Sequence, residues 1–187
     1  MNSVPSHDTS VAAVERDFAG SFEGSEPSED FIVEHDGAPI GFIQRSVIHD
    51  YPTEHRDLID LATVHAAALT IDYFIGDTSM LGQGLATRFI RAFSAASWVS
   101  HADAPAIVVP VVVGNVASWS ALASAGYHYV TTGFLTPDNL IDDGQHHVYQ
   151  LDRPQRRSEF NTYVLLRYSG RNPCYRPTVE SPPLQSD

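Results

Sequence analysis

Between Thr70 and Ala86 the chain runs TIDYFIGDTSMLGQGLA, and this stretch limits the fold more than any other. It reads as a short buried strand (Ile71, Tyr73, Phe74, Ile75), a polar turn, and a glycine-spaced entry into a helix. Unpaired backbone N–H groups converge at a helix N-terminus, so strand, glycine loop and helix start form a geometry that receives a phosphate. Gly82 and Gly84 let backbone approach an anion with no Cβ in the way, and Gln83, Leu85, Ala86 and Thr87 can then offer amides. Arg88 or Arg91 could add a charge-assisted contact. The alternative is a plain strand–turn–helix joint that uses glycine for packing. Asp72 sits inside the strand, where an acid is unexpected.

The flanking sequence continues this pattern. GLATRFIRAFSAASWV predicts an amphipathic helix, with Leu85, Phe89, Phe93 and Ala96 on one face. AIVVPVVV predicts a central strand buried on both faces, in which Pro110 removes a ladder donor and implies a bulge or splay. Gly114-Asn115 starts a second helix, VASWSALASA, closed by Gly126. YHYVTTGFL and HHVYQL predict two further strands around a turn-rich segment. Upstream, Asp36-Gly37 predicts a hairpin between Phe31/Val33 and Ile40/Phe42. Residues 49–60 read as a polar loop, with room for one helical turn, and VAAVERDFAGSF as a short helix capped by Thr9-Ser10. The fold class is therefore α/β (α+β): a mixed sheet with a parallel central pair and a final antiparallel hairpin, flanked by helices.

The expected organisation is a short N-terminal helix and loop (1–29), a main domain (30–154), and a Pro/Arg-rich tail (155–187) that is mostly disordered or docks a sheet edge. The chain has 187 residues, long enough for a sizeable core. It shows no apolar run of membrane-spanning length and no signal-peptide pattern, and its single cysteine, Cys174, fits a reducing compartment. A cytoplasmic monomer or homodimer is expected. Net charge is −12 with no lysine at all; residues 1–154 hold 6 Arg and 20 acids, net −14, and 155–187 hold 5 Arg and 3 acids, net +2. That balance argues against nucleic acid as a partner. It suits a cationic small molecule, or simply solubility. His146 and His147, adjacent on a strand, point to opposite faces and cannot chelate together, so no metal is expected.

The ordered blocks DGAPIGFIQ, IDYFIGDTSMLGQGLATRFIRAF and IVVPVVVGNVASWSALASAGY resemble the GCN5-related N-acetyltransferase (GNAT) superfamily, aminoglycoside 6′-N-acetyltransferase-like branch, over residues 30–152. Leu81–Ala86 occupies the position of its Gln/Arg-x-x-Gly-x-Gly/Ala motif. The resemblance implies that this loop binds the pyrophosphate of acetyl-CoA and that Asn115 bonds the pantetheine amides. A backbone N–H at Phe74 or Ile75 would polarise the thioester. It also implies that Asp72 takes the ammonium proton and anchors the acceptor, with burial raising its pKa. The implied reaction is acetyl transfer from acetyl-CoA to a primary amine of a small cationic molecule, by direct attack in a ternary complex. Leu122 stands where many members carry a tyrosine that protonates the CoA thiolate; Tyr127 and Tyr129 are nearby in sequence. Val109-Pro110 replaces the Asp-Pro of aminoglycoside enzymes, and residues 1–29 are too few for the usual strand and two helices, so a shortened N-terminal part is expected. Three alternatives stay open: a degenerate CoA-binding or interaction module, an enzyme for a siderophore-precursor amine, and one for a protein N-terminus.

Overall fold

Asp36 and Gly37 both lie in the left-handed region (φ 51° and 81°), the two-residue turn whose twist matches that of a hairpin. A computed structural model, which describes residues 10–136, 144–154 and 166–168, places this turn between β1 (Glu29–His35) and β2 (Ala38–Val47). β3 (Leu69–Ile75) pairs antiparallel with β2, Gln44 opposite Asp72. β4 (Ala106–Val112) follows in parallel, and β5 (His128–Phe134) and β6 (Gln145–Asp152) close the sheet as an antiparallel pair beside it. β7 (Leu166–Tyr168) pairs with β1, so the order is β5-β6-β4-β3-β2-β1-β7.

Two antiparallel halves thus meet at one parallel seam, and the seam is short. β3 and β4 are in register only at Leu69 and Ile107, then diverge. Pro110 explains part of this. Val113 N–H donates to the Gln145 carbonyl, so odd residues of β4 exchange bonds with β6 and even residues face β3. The donor that Pro110 lacks is therefore on the β3 side. Its ladder with β6 is unbroken, Pro110 opposite Val148, so the expected irregularity is a splay and not a bulge.

Among the described residues five α-helices flank the sheet. α1 (Val11–Asp17) is capped by Ser10, whose hydroxyl accepts from Ala13 N–H. α2 (Ala19–Glu23) follows separately because Phe18 leaves helical geometry and packs edge-on against Phe42; one continuous helix was expected here. α3 (Arg56–Leu61) lies in the stretch expected to be a loop with room for one helical turn, and is longer than that turn. Its pattern is too short to read locally, and tertiary contacts hold it: Leu58 is buried, and the Asp57 carboxylate accepts from Thr136 N–H at 2.8 Å. α4 (Leu85–Ser100) and α5 (Val116–Ala125) cover the opposite face. Gly126 closes α5 at φ 107°, as its position after the apolar run predicts.

β4 shows why its run is continuously apolar. Ile107, Val109 and Val111 enter the core under α4 and α5, with Phe89, Phe93 and Leu122, while Ala106 and Val108 enter a second core with Leu58 and Val148. Of the tail, Leu166–Tyr168 docks an edge, one of the two outcomes expected of it; the remainder, like residues 137–143, lies outside the described residues. Among the described residues no helix is long and apolar enough to cross a membrane.

Candidate active site

The splay opens a cleft of about 280 Å³ lined by Thr70–Tyr73 of β3, Val109–Val112 of β4, Asn115 and Ser118 of α5, and Glu54, His55 and Asp57 around α3. The β2–β3 ladder sets which β3 amides point into it. Gly76 N–H donates to the Ile40 carbonyl, so alternation turns the amides of Asp72 and Phe74 toward β2 and those of Tyr73 and Ile75 toward the splay. Of the two amides expected to polarise a carbonyl, Ile75 faces the open side and Phe74 is committed to the ladder opposite Phe42. The exposed Phe74 ring stacks on Phe42, centroids 5.5 Å apart.

Asp72 lines this cleft and a second cavity of about 200 Å³ beside it, where Glu26, Glu54 and His55 also lie. Its side chain is exposed. The burial expected to favour its role as a base is absent, because Ile71 on one side of it turns into the core and Tyr73 on the other packs against that core. What remains is a carboxylate on the cleft wall with other acids around it.

Beyond Ile75 the chain makes a 3-10 turn at Thr78–Met80, capped by Asp77, which accepts from the N–H and hydroxyl of Ser79. Those two bonds hold the Asp77 carboxyl below its ordinary pKa. Gln83 donates from Nε2 to the Ser79 carbonyl at 2.9 Å, which ties the glycine loop to this turn. Gly82 and Gly84 have φ 74° and 72°, left-handed conformations that favour glycine, and a Cβ at either would meet open space. Gly84 caps α4 with no side-chain bond. The amides of Leu85, Ala86 and Thr87 precede the first bond of the helix, Arg88 N–H to Gly84 carbonyl at 3.2 Å. Leu85 is buried beneath the loop; Ala86 and Thr87 are half-buried. These residues form their own surface and do not line the cleft. Arg88 is exposed in the first turn, whereas Arg91 donates to the Ser124 carbonyl at 2.7 Å and so belongs to α5.

Asn115 lines the cleft and caps α5, its Oδ1 accepting from Ser118 N–H at 3.1 Å. That leaves the two Nδ2 protons outside the cap. Leu122 is wholly buried. Tyr127 is buried too, its hydroxyl 2.8 Å from Ser94 Oγ beneath α4, and burial pushes its pKa up despite that bond. Tyr129 sits at the far edge, bonded to Thr132, which bonds His147. Neither phenol lines the cleft. A different one does. Tyr73 places its hydroxyl 2.7 Å from Ser118 Oγ and 3.3 Å from the Ser118 carbonyl, across the splay from β3 to α5. Burial pushes its pKa up to about 12, with the bond from Ser118 working against this and the Asp72 charge adding to it. Sequence reading missed the pair because its members are 45 positions apart. The alternation of Ile71 and Tyr73 toward the helices is the one signal that pointed to it. His146 lines the cleft and His147 packs edge-on to Trp119 on the α5 face, opposite faces as expected.

Comparison with known proteins fits this arrangement. A family model for the acetyltransferase (GNAT) domain matches residues 4–133. No curated protein matches the chain in sequence. Among solved structures, one of the aminoglycoside acetyltransferase AAC(6′)-Ib in complex with ribostamycin and coenzyme A is similar, with TM-score 0.67 and 21% identity over 81% of this chain and 80% of that one. Another of that enzyme, with acetyl-CoA, gives TM-score 0.66 and 22% identity over 80% of each chain. A spermidine N-acetyltransferase from Vibrio cholerae gives TM-score 0.57 and 15% identity over 76% of this chain and 75% of that one. The family model spans more than half of the chain and the similar structures share its fold: the chain belongs to the GNAT acetyltransferases.

Proposed function

We propose that this protein transfers acetyl from acetyl-CoA to a primary amine of a small cationic acceptor, by direct attack in a ternary complex. The observation that carries the reading is the one-pair seam between β3 and β4. It leaves the Tyr73 and Ile75 amides turned toward an open slot, and β3 leads on to a helix start that its own side chains do not cap. An extended pantetheine arm would pair with those amides, and its pyrophosphate would sit on the Leu85, Ala86 and Thr87 amides with Gly82, Gln83 and Gly84 giving close approach. Asn115 would donate from Nδ2 to a pantetheine carbonyl. Ile75 N–H would polarise the thioester carbonyl.

The acceptor side is acidic. Asp72, Glu54, Asp57 and Glu26 line the two cavities, and the one arginine there, Arg45, is bound to Glu29. Such walls concentrate an ammonium and hold it beside the thioester. Exposed Asp72 would take the amine proton directly or through water. AAC(6′)-Ib has been solved with an aminoglycoside bound, and the second relative is a spermidine acetyltransferase, so polyamine-like acceptors head the list. Turnover read as free thiol across a panel of amines tests this, with polyamines and amino sugars expected above neutral monoamines. Asp72→Asn should lower kcat about tenfold or more while leaving CoA affinity near wild type. Absence of thiol release with any amine, in a protein that binds CoA, would favour a CoA-binding module instead.

A further inference from the structure

Aminolysis of a thioester expels a sulfur that leaves with an electron pair, and a donor is needed where that charge appears. On the α5 side of the cleft, Ser118 and Tyr73 put two hydroxyls 2.7 Å apart, facing the strand whose amides turn inward. We infer that Ser118 meets the departing sulfur, donating its O–H to the thiolate, and that Tyr73 is the positioning residue that orients it.

The polarity of the pair supports this order. Three acceptor sites and two protons are available: each hydroxyl oxygen and the Ser118 carbonyl can accept. A phenol that burial keeps protonated is a permanent donor across the working range. When Tyr73 donates to Ser118 Oγ, the serine proton is released to point elsewhere, and the cleft is where Ser118 lies. The Ser118 amide is bonded separately by Asn115, so the side chain carries no capping duty. In the step itself the amine lone pair forms the C–N bond, the tetrahedral intermediate collapses, and the C–S bond breaks with its pair on sulfur. The amine proton leaves to Asp72 or water; the thiolate, hydrogen-bonded by Ser118, takes its proton from water.

The inference rests on the acetyl-CoA reading, and the experiment separates the two. CoA affinity is measured by calorimetry from neutral to alkaline pH, beside desulfo-CoA, which lacks the thiol. Wild type should bind CoA more tightly as the thiol ionises, with no such rise for desulfo-CoA. The second ligand removes the contribution of Asp72, Glu54, Asp57, His55 and His146, which face the same cleft. Ser118→Ala should abolish the alkaline rise and lower kcat about 10- to 100-fold with KM for acetyl-CoA unchanged. Tyr73→Phe should do the same more weakly, and Ser118→Thr should restore both. Wild-type kcat and an intact alkaline rise in Ser118→Ala overturn the inference alone. Failure of wild type to bind either ligand overturns the acetyl-CoA reading, and the inference with it.

Discussion

At its C-terminal end α4 is gripped by side chains from distant parts of the chain. Arg153 donates to the carbonyls of Ala104 (2.7 Å), Trp98 (3.1 Å) and His101, with its guanidinium over the Trp98 ring. Buried Arg45 reaches Ser97 Oγ at 3.0 Å and holds Glu29 through two bonds, while His101 meets the same carboxylate at 2.6 Å. At its N-terminal end the same helix has Gly84, no side-chain cap, and three amides ahead of its first bond. Both ends leave backbone groups to satisfy. One is closed by the chain's own side chains, and the other carries no side-chain cap, as the proposed pyrophosphate site requires. Ser10 and Asn115 cap α1 and α5, whereas α3 and α4 start without a side-chain cap, and of these α4 follows directly from the strand that lines the cleft.

Substitutions at the two ends should therefore separate stability from affinity. The largest loss is expected from Arg45→Ala, about 3 kcal/mol, because Glu29 is left half-buried without its guanidinium. Burial works to raise the Glu29 pKa, but hydrogen bonds and charge from Arg45, then from His101, hold it below the ordinary value. Ionised Glu29 therefore contributes stability above its unfolded pKa, and that contribution is lost as pH falls through the lower folded value. Urea midpoints across the acid range should show this loss in wild type and a smaller one in Arg45→Ala, where His101 alone still holds Glu29. Arg153→Ala should cost about 2 kcal/mol by releasing three carbonyls, with CoA affinity unchanged within about twofold. Gly84→Ala should cost only about 1 kcal/mol, for its left-handed φ, yet weaken CoA about fivefold or more. If Gly84→Ala and Arg153→Ala shifted affinity equally, the contrast between the two ends would collapse.

Much of this frame was legible in the sequence because it is local. The Asp-Gly turn, the glycine loop, the apolar run of β4, and the Asn115 and Gly126 caps each carry their signal within a few residues. What escaped is held by contacts between distant segments. The full length of α3 depends on Leu58 packing and on Thr136. The Tyr73–Ser118 pair exists only once the splay brings α5 against β3. Asp72 was expected to be buried and is exposed: an acid between residues that turn toward the core is pushed outward by the period of the strand. The strand, glycine loop and helix start were therefore readable. The cleft wall built from loop and short helix was not.

The most direct measurement is titration of the wild-type protein with CoA and acetyl-CoA, by calorimetry and by thermal melting. Saturable binding of both is expected, with stabilisation of about 2.7 kcal/mol at a hundredfold excess over Kd, and with binding weakened by Gly84→Ala. No heat and no shift in Tm with either ligand at saturation would contradict the assignment of the bare helix end to a nucleotide pyrophosphate.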